Sequence, residues 1–160
     1  VPLASVIGLG PEDLTQLGGA PSPKVNPKNV AIVGLRSVDA KERFNVRKSG
    51  VTSFTMRDID ERGMRSVMDE AIRIAGNGTE GIHVSLDLDA VDPSEAPGVG
   101  TPVKGGLSYR EAHLALEMVA DSRKLLSIDC VEVNPVIDEA NRTASLAVEF
   151  LCSGLGKRIL

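Results

Sequence analysis

Asp87 and Asp89 stand two residues apart at the end of the run Ile82-His83-Val84-Ser85-Leu86-Asp87-Leu88-Asp89. On a strand, residues i and i+2 point to the same face, so both carboxylates can converge on one site. Ile82, Val84, Leu86 and Leu88 then form the opposite, core-facing register. Two close carboxylates repel unless a proton or a cation lies between them, and oxygen donors suit a hard divalent ion such as magnesium or manganese. The competing reading is a solvated loop after a strand. The strand-end position and the Asp92-Pro93 turn that follows weigh against it.

Glu132 falls within an otherwise apolar strand end, Leu126 to Val133. A buried lone carboxylate is costly, so it is expected to meet a cation or several donors. A planar guanidinium would engage both of its oxygens. A structural ion pair with an arginine of the protein would do the same, and both readings stand. His83 and His113 are the only histidines. His83 lies deeper along its strand than the carboxylates and His113 falls on a helix, so both are read as structural.

Between these features runs Ala96-Pro97-Gly98-Val99-Gly100-Thr101-Pro102-Val103-Lys104-Gly105-Gly106. Such a density of Gly and Pro gives an irregular segment whose backbone can approach a ligand closely. It is not a nucleotide-binding loop: no Gly-Lys-Ser/Thr opens a helix, and Val103 stands where the dinucleotide pattern needs a third glycine. A calcium loop counted from Asp87 fails as well, with Val91, Asp92 and Gly98 at positions 5, 6 and 12.

The elements that must position these residues alternate. After a Gly- and Pro-rich entry of about thirty residues with one helical turn near Glu12 to Leu17, Val30 to Leu35 reads as a strand buried on both faces. A short charged helix follows from Ala40 to about Lys48, then a β-branched strand from Val51 to Met56. Met64, Val67, Met68, Ala71, Ile72 and Ala75 mark one helical face, stopped by Gly76-Asn77-Gly78. A third strand covers Gly81 to Leu88. Ser108 and Glu111 make a capping box for a helix whose stripe is Ala112, Ala115, Leu116, Val119 and Ala120. The fourth strand precedes a last helix from about Thr143 to Leu155, expected to bury Ala144, Ala147, Val148, Leu151 and Cys152. This alternation predicts an α/β fold, three-layer αβα with a mostly parallel sheet, in one domain over residues 1–160 without an internal boundary. Ligands in such sheets bind beyond the carboxyl ends of the strands. Asp39, the Asp87/Asp89 pair and Glu132 all follow strands.

The chain has 160 residues, 42% hydrophobic and 25% charged, with a net charge of −4. Neither that charge nor one Tyr, three Phe and no Trp suits a nucleic-acid surface. No apolar run approaches the roughly 18 residues of a membrane helix. Cys130 and Cys152 are too few for a disulfide framework and read as buried thiols in a reducing, cytoplasmic setting. The sequons at Asn77 and Asn141 are read as chance matches, and the start at Val1, without Met, as a sign of a fragment, a processed product or a trimmed chain.

The stretch Ser85 to Gly106, with Ser-x-Asp-x-Asp-x-x-Asp-Pro followed by Pro-Gly-x-Gly-Thr-Pro and Gly-Gly, resembles the signature of the ureohydrolases. These are the manganese enzymes that include the arginases and agmatinases. The resemblance extends to Gly34-Leu35-Arg36 with Asp39, Tyr109-Arg110-Glu111, Glu132-Val133-Asn134-Pro135 and Arg142-Thr143-Ala144. Asn134 favours the arginase branch; agmatinase or another guanidino-substrate ureohydrolase is the alternative. The resemblance implies Asp87 and Asp89 as manganese ligands, with Asp87 bridging two ions. It implies Glu132 as the holder of the substrate guanidinium, Asp39 and Glu42 as recognising its α-amino group, Glu42 through water, and Thr101 as a pocket residue. Asp92 is implied as turn-forming or supporting. The implied reaction is hydrolysis of L-arginine to L-ornithine and urea, in a trimer or hexamer. The remaining ligands (a Gly-Gly-Asp-His and an Asp-Ala-His-x-Asp segment) and a catalytic histidine would come from an amino-terminal half, so this chain is expected to bind manganese weakly and to release no urea by itself. A phosphatase with Asp87 as nucleophile and Asp89 as general acid is the rival from another class, but the required downstream acidic pair does not match Asp129 and Glu132.

Overall fold

A computed structural model describes residues 2–158 and 160; Val1 and Ile159 lie outside the description. The entry holds more helix than its Gly and Pro content suggests: α1 (Pro2–Val6), α2 (Glu12–Thr15) and 3₁₀ turns at Leu17–Gly19 and Pro27–Asn29.

Strand β1 (Ala31–Leu35) is joined to a parallel partner, β2 (Thr52–Thr55), through α3 (Ala40–Ser49). Gly50 closes α3 at φ 81°, a left-handed conformation that costs glycine nothing and other residues about 1 kcal/mol. Strand β2 is shorter than its β-branched run because Thr55 becomes the N-cap of an unanticipated helix, α4 (Met56–Arg62). Thr55 Oγ1 accepts from the Asp58 amide at 3.2 Å, and the Asp58 carboxylate accepts from the Thr55 amide at 2.7 Å. Helix α5 (Met64–Ala75) buries Met64, Val67, Met68 and Ala71 of the predicted stripe, while Ile72 and Ala75 are half-buried.

Strand β3 (Ile82–Asp87) pairs in parallel with β4 (Leu125–Val131), the connection running through the irregular segment and α6 (Tyr109–Ser122). The last helix, α7 (Arg142–Gly154), is rotated from its predicted face: Ala147 is buried as expected, but Val148 is 59% exposed, Ala144, Leu151 and Cys152 are half-buried, and Thr143, Leu146 and Phe150 are buried as well. Phe150 is wholly inaccessible and carries more apolar surface than Val148, so the aromatic decides the orientation.

The α/β class stands, and the part of a sheet present takes the form of two separate two-stranded parallel sheets, β1–β2 and β3–β4. One core serves both: Phe54 of β2, Val67 of α5, Leu116 of α6 and Phe150 of α7 belong to a single cluster with Leu88, just after β3, and Val99 of the irregular segment. Strand β1 is half-buried apart from Gly34, not buried on both faces. In β3 the expected alternation holds. Ile82, Val84 and Leu86 face the core, while His83, Ser85 and Asp87 are exposed beside Ser127 and Asp129 of β4. Cys130 and Cys152 are unpaired and half-buried rather than fully buried.

Candidate active site

Parallel pairing puts the carboxyl ends of β1 and β2 together, and likewise those of β3 and β4. Arg36, the first residue after β1, donates to the backbone carbonyl of Asp89 at 2.6 Å. The two sheets therefore present their carboxyl ends to a common rim.

At that rim β3 stops at Asp87, and Asp89 lies in a 3₁₀ turn, Leu88–Ala90. The two carboxylates are thus brought together by a turn rather than by strand alternation. Asp87 caps this turn, its Oδ1 accepting from the Asp89 amide at 2.8 Å. Although the Asp87 side chain reaches solvent, crowding by neighbouring atoms is the main influence on it. Loss of water pushes its carboxyl above the usual range, the Asp89 amide opposes, the Asp89 charge adds to the push, and the Arg36 charge works against it.

Asp89 uses one carboxylate oxygen to accept from Thr101 Oγ1. Its other oxygen, Oδ1, is buried and has no hydrogen-bond partner among the described residues. A buried carboxylate oxygen without a donor loses hydration and gains nothing in exchange. A divalent cation satisfies it and also screens the Asp87–Asp89 repulsion, so this pair fits a hard metal ion. It does not complete a ligand shell. Among the described residues, no group of three or more His, Cys, Asp or Glu side chains is placed to hold a metal.

Glu132 sits just beyond β4, exposed, at φ 68°. The expectation of a buried carboxylate inside a strand is corrected, because β4 ends at Val131 and the chain turns there. The turn directs the side chain toward the irregular segment: a β-carbon on Gly100 would stand 3.5 Å from Glu132 Oε2. Gly100 precedes Thr101, which bonds Asp89, so Glu132, Gly100, Thr101 and Asp89 are neighbours in succession. The Asn134 amide ties the same stretch down through the Gly98 carbonyl at 2.8 Å. Glu132 forms no hydrogen bond or ion pair with any described residue, so a structural salt bridge finds no partner among them.

Asp39 and Glu42 are both exposed and form a capping box on α3. The Asp39 carboxylate accepts from the amides of Lys41 at 2.7 Å and Glu42 at 2.8 Å, and Glu42 Oε2 accepts from the Asp39 amide at 3.2 Å. No hydrogen bond joins them to Asp87, Asp89 or Glu132 among the described residues. His83 is held below Asp87 on the exposed face, with Nδ1 2.8 Å from Ser127 Oγ and Nε2 3.2 Å from Asp129 Oδ2. Ser85 completes that ladder by donating to Asp129 Oδ1 at 2.7 Å. His113 is buried with Nδ1 2.8 Å from Ser153 Oγ, and burial lowers its pKa.

Two residues matter more than their types suggested. Asp92, read as turn-forming, accepts from the Ser94 amide at 3.0 Å, from Ser94 Oγ at 2.7 Å, and from the amides of Gly105 at 2.8 Å and Gly106 at 3.2 Å. The Ser94 bonds and then the glycine amides hold its carboxyl far below the ordinary range. Arg36 had no assigned role; its place in the Gly34-Leu35-Arg36 part of the resemblance and its position directly after a strand were the available signals.

Residues 16–156 match the Arginase family. The arginases of Brevibacillus brevis and Bacillus caldovelox are 51% and 49% identical over 160 residues, each alignment covering 100% of this chain and 53% of the relative. The native structure of the Bacillus caldovelox arginase superposes with a TM-score of 0.95, covering 99% of this chain and 53% of that one. An Entamoeba histolytica arginase solved in complex with L-ornithine superposes with a TM-score of 0.87 at 34% identity, over 98% of this chain and 52% of that one. The chain thus spans about half the length of the curated relatives it matches.

Proposed function

Because the chain belongs to the arginase family, we propose that it supplies one half of a manganese-dependent ureohydrolase that converts L-arginine to L-ornithine and urea. The observation that carries this reading is the buried, unpartnered Oδ1 of Asp89 beside Asp87 at the strand rim, an arrangement that calls for a cation. Asp87 and Asp89 hold part of a two-manganese site. Paired divalent ions, when bound, make hydroxide available near neutral pH by acidifying water. Glu132, exposed and without a partner among the described residues, accepts the substrate guanidinium across both oxygens and fixes its orientation. Thr101 lines the pocket while holding Asp89. Asp39 and Glu42, their backbone bonds made, keep outward-facing lone pairs for the α-amino group.

The other ligands and the proton-transferring histidine come from an amino-terminal half, in keeping with a chain that spans about half the length of its curated relatives, and the complete enzyme is a cytoplasmic trimer or hexamer. The two unpaired thiols accord with a reducing compartment. The test is urea release from L-arginine with manganese, by this chain alone and after mixing with an amino-terminal half taken from a relative. The expected result is no urea from the chain alone, release on mixing, and loss of that release with Glu132→Gln. Release by the chain alone, or equal release with Glu132→Gln, contradicts the proposal.

A further inference from the structure

Arg36 is half-buried, and its guanidinium forms no ion pair with a described carboxylate. It is spent on backbone carbonyls from two segments. Beyond its bond to Asp89, it donates to Ala90 at 3.1 Å and Val91 at 3.4 Å on the turn after β3. It also donates twice to Val103, at 3.1 and 2.7 Å, on the irregular segment. The fork thus joins the stretch carrying Asp89 to the stretch that leaves Thr101. Asp92 joins the same two stretches with the opposite charge, through the Gly105 and Gly106 amides. The backbone closes the seam: the Asp92 amide donates to Leu107 and the Leu107 amide to Ala90, both at 2.9 Å. The approach is so close that a β-carbon on Gly106 would lie 2.6 Å from the Asp92 nitrogen.

We propose that Arg36 and Asp92 are positioning residues that clamp the Asp89 turn to the Thr101 segment and so fix the direction of the Asp89 carboxylate. The role in metal binding rests on the function proposed above; the clamp itself does not. Arg36 grips Asp89 by its carbonyl oxygen, which orders the residue while leaving its carboxylate un-neutralised for a cation. An arginine paired directly with Asp87 or Asp89 would compete with the metal. Lysine cannot substitute, because its three donors leave one atom and cannot span two segments as a planar fork does.

Hydrogen–deuterium exchange on the 160-residue chain, with Arg36→Lys and Asp92→Ala as variants, tests the clamp, and the amides of α6 report whether the fold survives. The expected result in both variants is exchange about tenfold faster across residues 100–107 with α6 unchanged. Unchanged exchange across 100–107 in both overturns the clamp. Titration with manganese alone tests the positioning role. Arg36→Lys is expected to weaken binding about tenfold or more, as loss of a group supporting a ligand does. Unchanged manganese affinity together with faster exchange overturns the positioning role. A wild-type chain that binds no manganese contradicts the proposed function instead, and the exchange result still decides the clamp.

Discussion

Asp39 and Asp58, which follow β1 and β2, accept hydrogen bonds at the starts of α3 and α4, and their neighbours return the favour through capping boxes. Asp87, the last residue of β3, caps nothing longer than a 3₁₀ turn, and one oxygen of Asp89 within that turn is buried with no partner among the described residues. Of these four aspartates at or after the ends of parallel strands, only Asp89 has a carboxylate oxygen that is both buried and without a partner among the described residues. Sharing a strand-end position does not by itself call for a cation; a buried oxygen without a donor does. Asp92 shows the same rule within a few residues of Asp89, since four donors saturate it.

The largest expected effect tests whether the two regions are one unit. Phe150 lies in the core they share and is fully buried, so Phe150→Ala should cost about 3–5 kcal/mol. Chemical denaturation followed at probes in both sheets should then show both moving together. If β1–β2 kept its midpoint while β3–β4 lost its own, the contrast would be between two independent units. Next, Thr55→Ala removes the cap of α4 and should cost about 1 kcal/mol in the same assay, with manganese binding unaltered.

A smaller effect concerns acid. Hydrogen bonds lower the carboxyls of both Asp58 and Asp92, in each case led by the bond to the neighbouring hydroxyl residue, Thr55 or Ser94. A depressed carboxyl contributes stability that is present above its unfolded pKa of about 3.9 and is lost as pH falls toward its folded value. Asp92→Asn should therefore lower Tm at neutral pH, and the gap to wild type should close as pH drops below about 4. A constant gap across pH would mean that Asp92 acts by shape and not by charge. Smallest is Arg57→Ala, which breaks an exposed pair with Glu61 and should shift stability by less than about 0.5 kcal/mol.

Much of this arrangement was legible in the sequence. The alternation Ile82, Val84, Leu86 against His83, Ser85, Asp87 identified both faces of β3, and Ser108 with Glu111 announced α6, because such signals are local. Helix α4 escaped although Thr55-x-x-Asp58 is the same capping pattern, since Thr55 also ends a β-branched run. The face of α7 was misjudged by weighting Val148 over Phe150. The division into two strand pairs, the positive φ of Glu132 and the four carbonyls around Arg36 depend on residues far apart in the chain, and no short pattern encodes them. The candidate site was read from residue type and resemblance; the buried oxygen of Asp89 became visible only in the fold.

The most direct test is manganese titration of the chain, with the free ion followed by electron paramagnetic resonance, for wild type, Asp87→Ala, Asp89→Ala and the cap variant Asp58→Asn. Weak binding by wild type and Asp58→Asn, reduced at least about tenfold by either Asp87→Ala or Asp89→Ala, is the expected result. Equal binding by all four proteins would contradict a cation site at the end of β3.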